Sequence, residues 1–306
     1  MSQIPVIDLS PYFSGQDKIA VAHQIKHACE EIGFFTLRGH DIPLETVKGA
    51  NAAARAFFDQ PLTEKRLVES PGGMGYIGPQ GENLAASLDD KAVIDVKESL
   101  NLTLPISAGI WPTSPNAIRT ACKAYYDALL HLSQHLMHLF ALALELPETW
   151  FDDKTDKPRT ILRLLNYPEI DPDKAGQTRA GAHTDYGTLT ILWSPDSRGL
   201  QAQSRQGAWV DVVAPVDHFI INIGDLMMNW TNDRWLSTLH RVVPHPKTVG
   251  KRRQSMAFFH NPNPEALIEC IHTCQSAENP AKYEPILAKT HLEMKITKSL
   301  GKDVKL

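Results

Sequence analysis

The stretch Gly181-Ala-His183-Thr-Asp185-Tyr-Gly-Thr-Leu-Thr-Ile-Leu-Trp193 decides how the rest of the chain is read. It puts an imidazole and a carboxylate two residues apart, just ahead of a β-forming run from Thr188 to Leu192. In an extended chain residues i and i+2 point to the same face, so His183 and Asp185 are expected to project together from one strand end. Two such ligands need a third to hold a metal. His240, which follows a Leu and precedes Arg241-Val242-Val243-Pro244, is the candidate. His-x-Asp with a distant His is the donor set of a 2-His-1-carboxylate triad, which holds Fe(II) through one face and leaves the opposite positions open for substrate and O2.

Working outward, the chain changes character at Lys157-Pro158. Downstream, short apolar segments separated by turn residues read as strands: 159–167, 187–193, 199–203 with 209–212 as a hairpin, 219–223 and 254–259. Upstream, apolar spacings of 3 and 4 predict helices over 16–32, 44–58 and 118–144, with a short one opening at 62–65 under a Thr63 cap. Residues 4–9 and 34–37 read as strands, 95–102 leads toward another, and glycine-rich 71–81 reads as a loop. A last helical segment runs from 280 to 300. The pattern predicts a mainly β protein with flanking α-helices, built around a two-sheet jelly roll. Residues 1–105 form a helix and strand region packed on a core of 106–306, in one integrated unit.

Net charge is −4, with 42% hydrophobic and 22% charged residues, as in an ordinary globular protein. No basic patch calls for nucleic acid, and no apolar run approaches a membrane span. Four scattered cysteines and an N-terminus without a secretory pattern point to a reducing, cytoplasmic setting. Oligomeric state is not legible.

Other clusters carry less. Cys270 and Cys274 lack the second pair that a structural zinc needs. His131, His135 and His138 could share a helix face, but no Glu follows the first His and no acidic or thiol partner is near in sequence, so surface or packing roles are expected. Gly72-Gly-Met-Gly75 lacks the Lys-Ser/Thr of a phosphate loop. His40, His218, His245 and His260 are read as structural, with His260 near the site.

The text around the triad resembles the iron(II), 2-oxoglutarate-dependent dioxygenases of the isopenicillin N synthase-like family. The matches are Ile4-Pro-Val-Ile-Asp8, Gly33-Phe-Phe35, His40, Phe57-Phe58, Asn166-Tyr-Pro168, His183 to Leu192, Gly224-Asp225, Ser237 to Val243 and Asn261-Pro262. The resemblance implies a distorted double-stranded β-helix core. It also implies a second motif, Arg-x-Ser, here Arg253-Gln254-Ser255. A planar guanidinium pairs with a carboxylate in bidentate fashion, and relatives use this pair, with a Tyr before a Pro, on the distal carboxylate of 2-oxoglutarate. Tyr167 matches that Tyr. Arg252 faces the other way on a strand.

The activity implied by the resemblance is oxidative decarboxylation of 2-oxoglutarate to succinate and CO2, coupled to hydroxylation or desaturation of a small molecule. The cofactors are Fe(II), 2-oxoglutarate and O2, with ascorbate as a stimulant. Arg163, on the strand face of Leu165 and Tyr167, is a candidate anchor for a substrate carboxylate or carbonyl. Tyr186 and Phe259 are candidates to sandwich a planar substrate, against core packing as the plain alternative. Segment 71–101 resembles the variable part that covers the pocket in relatives. The competing readings are a 2-oxoglutarate-independent oxidase of the same fold, an ethylene-forming variant, and a non-catalytic binding module, which the intact ligand set disfavours.

Overall fold

The computed structural model describes residues 4–69, 73–79, 97–104, 106, 111–169, 179–247 and 250–300. Two facing sheets make the core. The larger has eight strands in the order β1 (Val6–Asp8), β2 (Phe34–Arg38), β10 (Phe219–Ile223), β7 (Leu189–Trp193), β12 (Arg253–His260), β5 (Ile161–Tyr167), β4 (Glu98–Leu102) and β3 (Gly75–Ile77). The smaller runs β6 (Ala180–His183), β11 (His240–Val242), β8 (Leu200–Gln203) and β9 (Trp209–Asp211). Every pairing in these two sheets is antiparallel except β1 with β2. A third ribbon joins β13 (Leu267–Ile268) to β14 (Ile286–Leu287).

The period-2 rule divides each central strand between two environments. On β12, Met256 and Phe258 enter the large core, while Arg253, Ser255, Ala257 and Phe259 face a cavity between the sheets. On β5, Leu162 and Leu164 go to the core and Arg163, Leu165 and Tyr167 to the cavity. On β7 the core takes Leu189, Ile191 and Trp193 and leaves Thr190 and Leu192 to the cavity.

Helices cover the outer face of the large sheet. They are α2 (Lys18–Glu31), α3 (Leu44–Phe58) and α5 (Ala117–Ala143). Asp17 caps α2 by accepting from Ala20 N. The 27 residues of α5 bury Leu129, Leu132, Leu136, Leu139 and Phe140 along one stripe. Removing a core aromatic such as Phe258 would cost about 3–5 kcal/mol, because the sheet and α5 cannot close the hole.

The architecture agrees with the expected mainly β fold with flanking helices. Local differences have local causes. The short helix α4 (Leu62–Arg66) is capped by Pro61 without a side-chain bond, so Thr63 sits inside it rather than at its cap. The span expected as a loop over 71–81 contains β3, because Gly75 to Ile77 finds a free edge on β4. Within 71–101, residues 71, 72 and 80–96 lie outside the described residues. The expected helix over 280–300 begins only at Ala288, since 286–287 pair with β13. The short helices α1 (Ser10–Phe13), α6 (Asp152–Thr155) and α7 (Asp225–Trp230) are too brief to show the periodicity of the longer ones.

Candidate active site

Three donors converge between the sheets. β6 ends on His183, and β11 begins on His240 directly across from it in the ladder. Asp185 follows in the turn after β6, so the chain curls to bring it in rather than continuing as a strand. Its Oδ1 lies 4.0 Å from His183 Nε2 and 3.8 Å from His240 Nε2. All three donor atoms fall within 4.8 Å of one another, the one such group among the described residues.

The orientation is fixed from behind. His183 Nδ1 donates to Gly181 O at 2.7 Å, and His240 Nδ1 to Thr238 O at 3.0 Å. A carbonyl can only accept, so each ring carries its proton on Nδ1 and turns the Nε2 lone pair inward. Asp185 Oδ2 accepts from Thr190 Oγ1 at 2.5 Å and from Asn222 Nδ2 at 2.7 Å, which leaves Oδ1 for the centre. Burial, then the neighbouring His240, pushes the His183 imidazolium down to about 4, so the ring is neutral at pH 7. Burial works to raise the Asp185 carboxyl, but the two histidines, Asn222 and Thr190 hold it below its ordinary value. Two imidazoles with their Nε2 atoms turned inward and an ionised carboxylate are the donor set that suits a divalent iron.

Two glycines permit this turn. A Cβ on Gly224 would sit 2.3 Å from Gly187 O, and one on Gly187 would sit 2.0 Å from Asn261 Oδ1. Their bare backbones let Asp225 N reach Asp185 O at 2.8 Å and Leu226 N reach Gly187 O at 3.0 Å.

The same cavity, of about 160 Å³, holds the second group of residues. Arg253 is buried and pairs in register with Tyr167, whose ring centre lies 5.1 Å from the guanidinium carbon. Its NH1 meets Ser255 Oγ at 3.3 Å, as the shared strand face predicts. Its Nε has no hydrogen-bond partner, and no carboxylate among the described residues forms an ion pair with it. Burial pushes this guanidinium's pKa down, opposed by Tyr167 and Asp196. A buried cation with an unused donor is costly unless an anion from outside completes it. Arg252 turns away to Asn166 and Asp59, as expected.

Arg163, Tyr186 and Phe259 also line this cavity. Arg163 Nε donates to Asn101 Oδ1 at 2.8 Å, and its guanidinium carbon lies 5.8 Å from the Phe259 ring centre. Tyr186 is partly buried against the large core.

Sequence reasoning missed several contributors. Thr190 and Asn222 interrupt apolar strands, and a polar residue inside such a run was the available signal. Asn101 and the wall formed by Leu292 and Ile296 of α8 (Ala288–Leu300) carried no signal, because their approach depends on tertiary packing. Two of the helix histidines have partners away from the cavity: His135 meets Tyr12 OH at 3.0 Å and His138 meets Asp152 at 2.8 Å. His260 bonds to Thr188, and His40 to Asp217 O.

Known proteins match the chain in sequence and in fold. Residues 4–120 match the family model described as the N-terminal region of non-haem dioxygenase in morphine synthesis, and residues 160–262 match the 2OG-Fe(II) oxygenase superfamily. The 2-oxoglutarate-Fe(II) type oxidoreductase hxnY of Emericella nidulans is 31% identical, over 97% of this chain and 90% of that protein. The chain belongs to the 2OG-Fe(II) oxygenase superfamily. Homoarginine-6-hydroxylase 2-ODD-233 of Oryza sativa is likewise 31% identical to this oxygenase, over 96% of each chain. A full-length Neurospora crassa protein, solved with α-ketoglutarate and thymine, superposes with a TM-score of 0.86 at 30% identity, covering 97% of this chain and 96% of that one. Relatives of this kind share a double-stranded β-helix core, and the two facing sheets agree with it. The oxygenase is a 2-oxoglutarate- and Fe(II)-dependent dioxygenase. No helix among the described residues is long and apolar enough to cross a membrane.

Proposed function

We propose that His183, Asp185 and His240 bind the Fe(II), that Arg253, Ser255 and Tyr167 bind the distal carboxylate of 2-oxoglutarate, and that a small molecule is oxidised at the far end of the same cavity. The observation that carries this reading is Arg253: a buried guanidinium without an anionic partner among the described residues, in one cavity with three converging metal donors. Bound iron, with 2-oxoglutarate and O2, supplies the oxidising power; the chain supplies position and dryness.

Each residue has a task in that scheme. The Arg253 fork and the Ser255 hydroxyl fix the cosubstrate's far end, and Tyr167 lies against the guanidinium. Thr190 and Asn222 keep Asp185 ionised and turned inward. Leu165, Leu192 and Ala257 keep water from the cosubstrate's methylenes. Tyr186 and Phe259 flank the substrate, and Arg163, steadied by Asn101, anchors a carboxylate or carbonyl on it. The solved Neurospora crassa complex holds thymine, a small planar molecule, which supports a compact substrate here. A 2-oxoglutarate-independent oxidase is not favoured, since the relatives carry 2-oxoglutarate in their names and solved complexes. Four unpaired cysteines support a cytoplasmic location as part of this reading.

The test is succinate formation from 2-oxoglutarate when O2 is admitted to Fe(II)-loaded protein, across a panel of small planar acids, lactams and pyrimidines. Stimulation by one compound identifies the substrate class. No succinate under any condition, with iron shown to be bound, overturns the assignment of Arg253 and Ser255.

A further inference from the structure

One wall of the cavity is formed by α8, whose Leu292, Ile296 and Ser299 share one face at spacings of 4 and 3. The start of the helix is well anchored. Ala288 N donates to Ala266 O at 2.9 Å, Lys289 N to Pro264 O at 3.1 Å, and Lys289 pairs with Glu265 at 2.9 Å. Further along, Lys295 reaches past the Tyr186 ring, 5.9 Å from its centre, to Asp225 Oδ2 at 2.7 Å.

Asp225 is not a surface partner. Its side chain is 5% exposed, its Oδ1 accepts from Ser237 Oγ at 2.6 Å, and Thr184 Oγ1 donates to its Oδ2 at 3.4 Å. Its backbone N–H holds Asp185 O, and Ser237 Oγ lies 3.4 Å from the same carbonyl. Thr184 stands between the two proposed ligands His183 and Asp185. One ammonium on the closing helix is therefore bonded to the carboxylate that braces the metal-ligand turn.

We propose that Lys295 is a positioning residue for the oxygenase reaction: through Asp225 it holds the second half of α8 over the substrate end of the cavity and ties that closure to the turn carrying Asp185. Closure at this point excludes water from the substrate and fixes the wall against which it rests. The 2-oxoglutarate end, on β5 and β12, does not depend on the contact. The proposal rests on placing the substrate at the α8 end of the cavity.

The test compares wild-type protein with Lys295→Met, which keeps length and apolar stem, and Lys295→Arg, which keeps the charge. For the compound that stimulates succinate release in wild type, KM should rise about tenfold in Lys295→Met and stay within twofold in Lys295→Arg. Affinity for 2-oxoglutarate, titrated into Fe(II)-loaded protein under argon, should stay within twofold in both. Hydrogen exchange of residues 291–300 should quicken about tenfold in Lys295→Met, and 1 M NaCl should quicken it in wild type but not in that variant. Unchanged exchange of this segment, an unchanged substrate KM, or faster exchange spread equally over β5 and β12 would overturn the proposal. Failure of wild-type protein to bind 2-oxoglutarate would instead overturn the assignment of Arg253, and the exchange measurement would still read Lys295.

Discussion

Replacing Arg253 with Met separates a ligand-binding role from a structural one. Met keeps most of the stem's volume and removes the guanidinium. In the proposed cosubstrate complex the change would delete a buried, charge-assisted contact and leave the carboxylate without its cationic partner. Truncating one partner of such a pair costs about 2–5 kcal/mol. Taking about 3 kcal/mol, and about 1.4 kcal/mol per decade, the dissociation constant of 2-oxoglutarate should rise on the order of a hundredfold. The free protein should behave oppositely. Arg253 Nε has no partner, no carboxylate among the described residues forms an ion pair with the guanidinium, and burial disfavours its charge more than Tyr167 and Asp196 favour it. Removing it should therefore leave thermal stability unchanged or raised. Calorimetric titration of 2-oxoglutarate under argon, beside thermal melts of the metal-free protein, reads both. An unchanged dissociation constant, or a melting point lowered by many degrees, would refute the reasoning.

Other substitutions probe the remaining parts of the site. His183→Ala and Asp185→Ala should each abolish stoichiometric Fe(II) binding, measured by metal analysis after desalting, and with it all succinate formation. Asn222→Leu should weaken Fe(II) binding about 10- to 100-fold with the fold intact, because Asp185 Oδ2 loses a donor that orients it; equal affinity would remove Asn222 from the site. Arg163→Leu should raise the substrate's KM at least tenfold without changing that for 2-oxoglutarate. His260, fully buried, has its imidazolium pushed down to about 4 by burial. Its folded value lies below the unfolded value of about 6.5, so the native state stays neutral while the unfolded chain takes up a proton. Stability should fall as pH drops from about 6.5 to 4, by up to about 3 kcal/mol, and His260→Gln should flatten that window in denaturant titrations.

How much of the molecule is legible in the sequence depends on the range of the interaction. Helices α2, α3 and α5 follow from periodicity and strand β10 from a short apolar run, and both signals are local. Arg253 and Ser255 on one face follow from alternation, also local. His183 with Asp185 is legible as a motif, though strand alternation alone does not join them: the strand ends at His183, and the turn, held by Asp225 N and opened by Gly187 and Gly224, brings the carboxylate round. Thr63 misleads as a cap because Pro61 sets the helix start on its own. β3 escapes a local reading because a glycine-rich segment becomes a strand only where an edge such as β4 is offered. The link from Lys295 to Asp225 joins positions about seventy residues apart with no shared pattern, so only the folded chain reveals it.

The cavity draws its walls unevenly from the chain. The residues assigned to iron and 2-oxoglutarate fall between Tyr167 and Ser255, on β5, β6, β11 and β12 and in the turn after β6. The far end is closed by Gly73, Met74, Ile77 and Asn101 from one side and by Leu292, Ile296 and Ser299 from the other. Besides Arg163, Tyr186 and Phe259, part of the cavity wall thus comes from stretches of the gene that carry none of the residues assigned to the chemistry. Exchanging the two outer stretches for those of a relative should shift substrate preference while leaving the iron chemistry untouched, and a lineage of such enzymes can diversify by the same route.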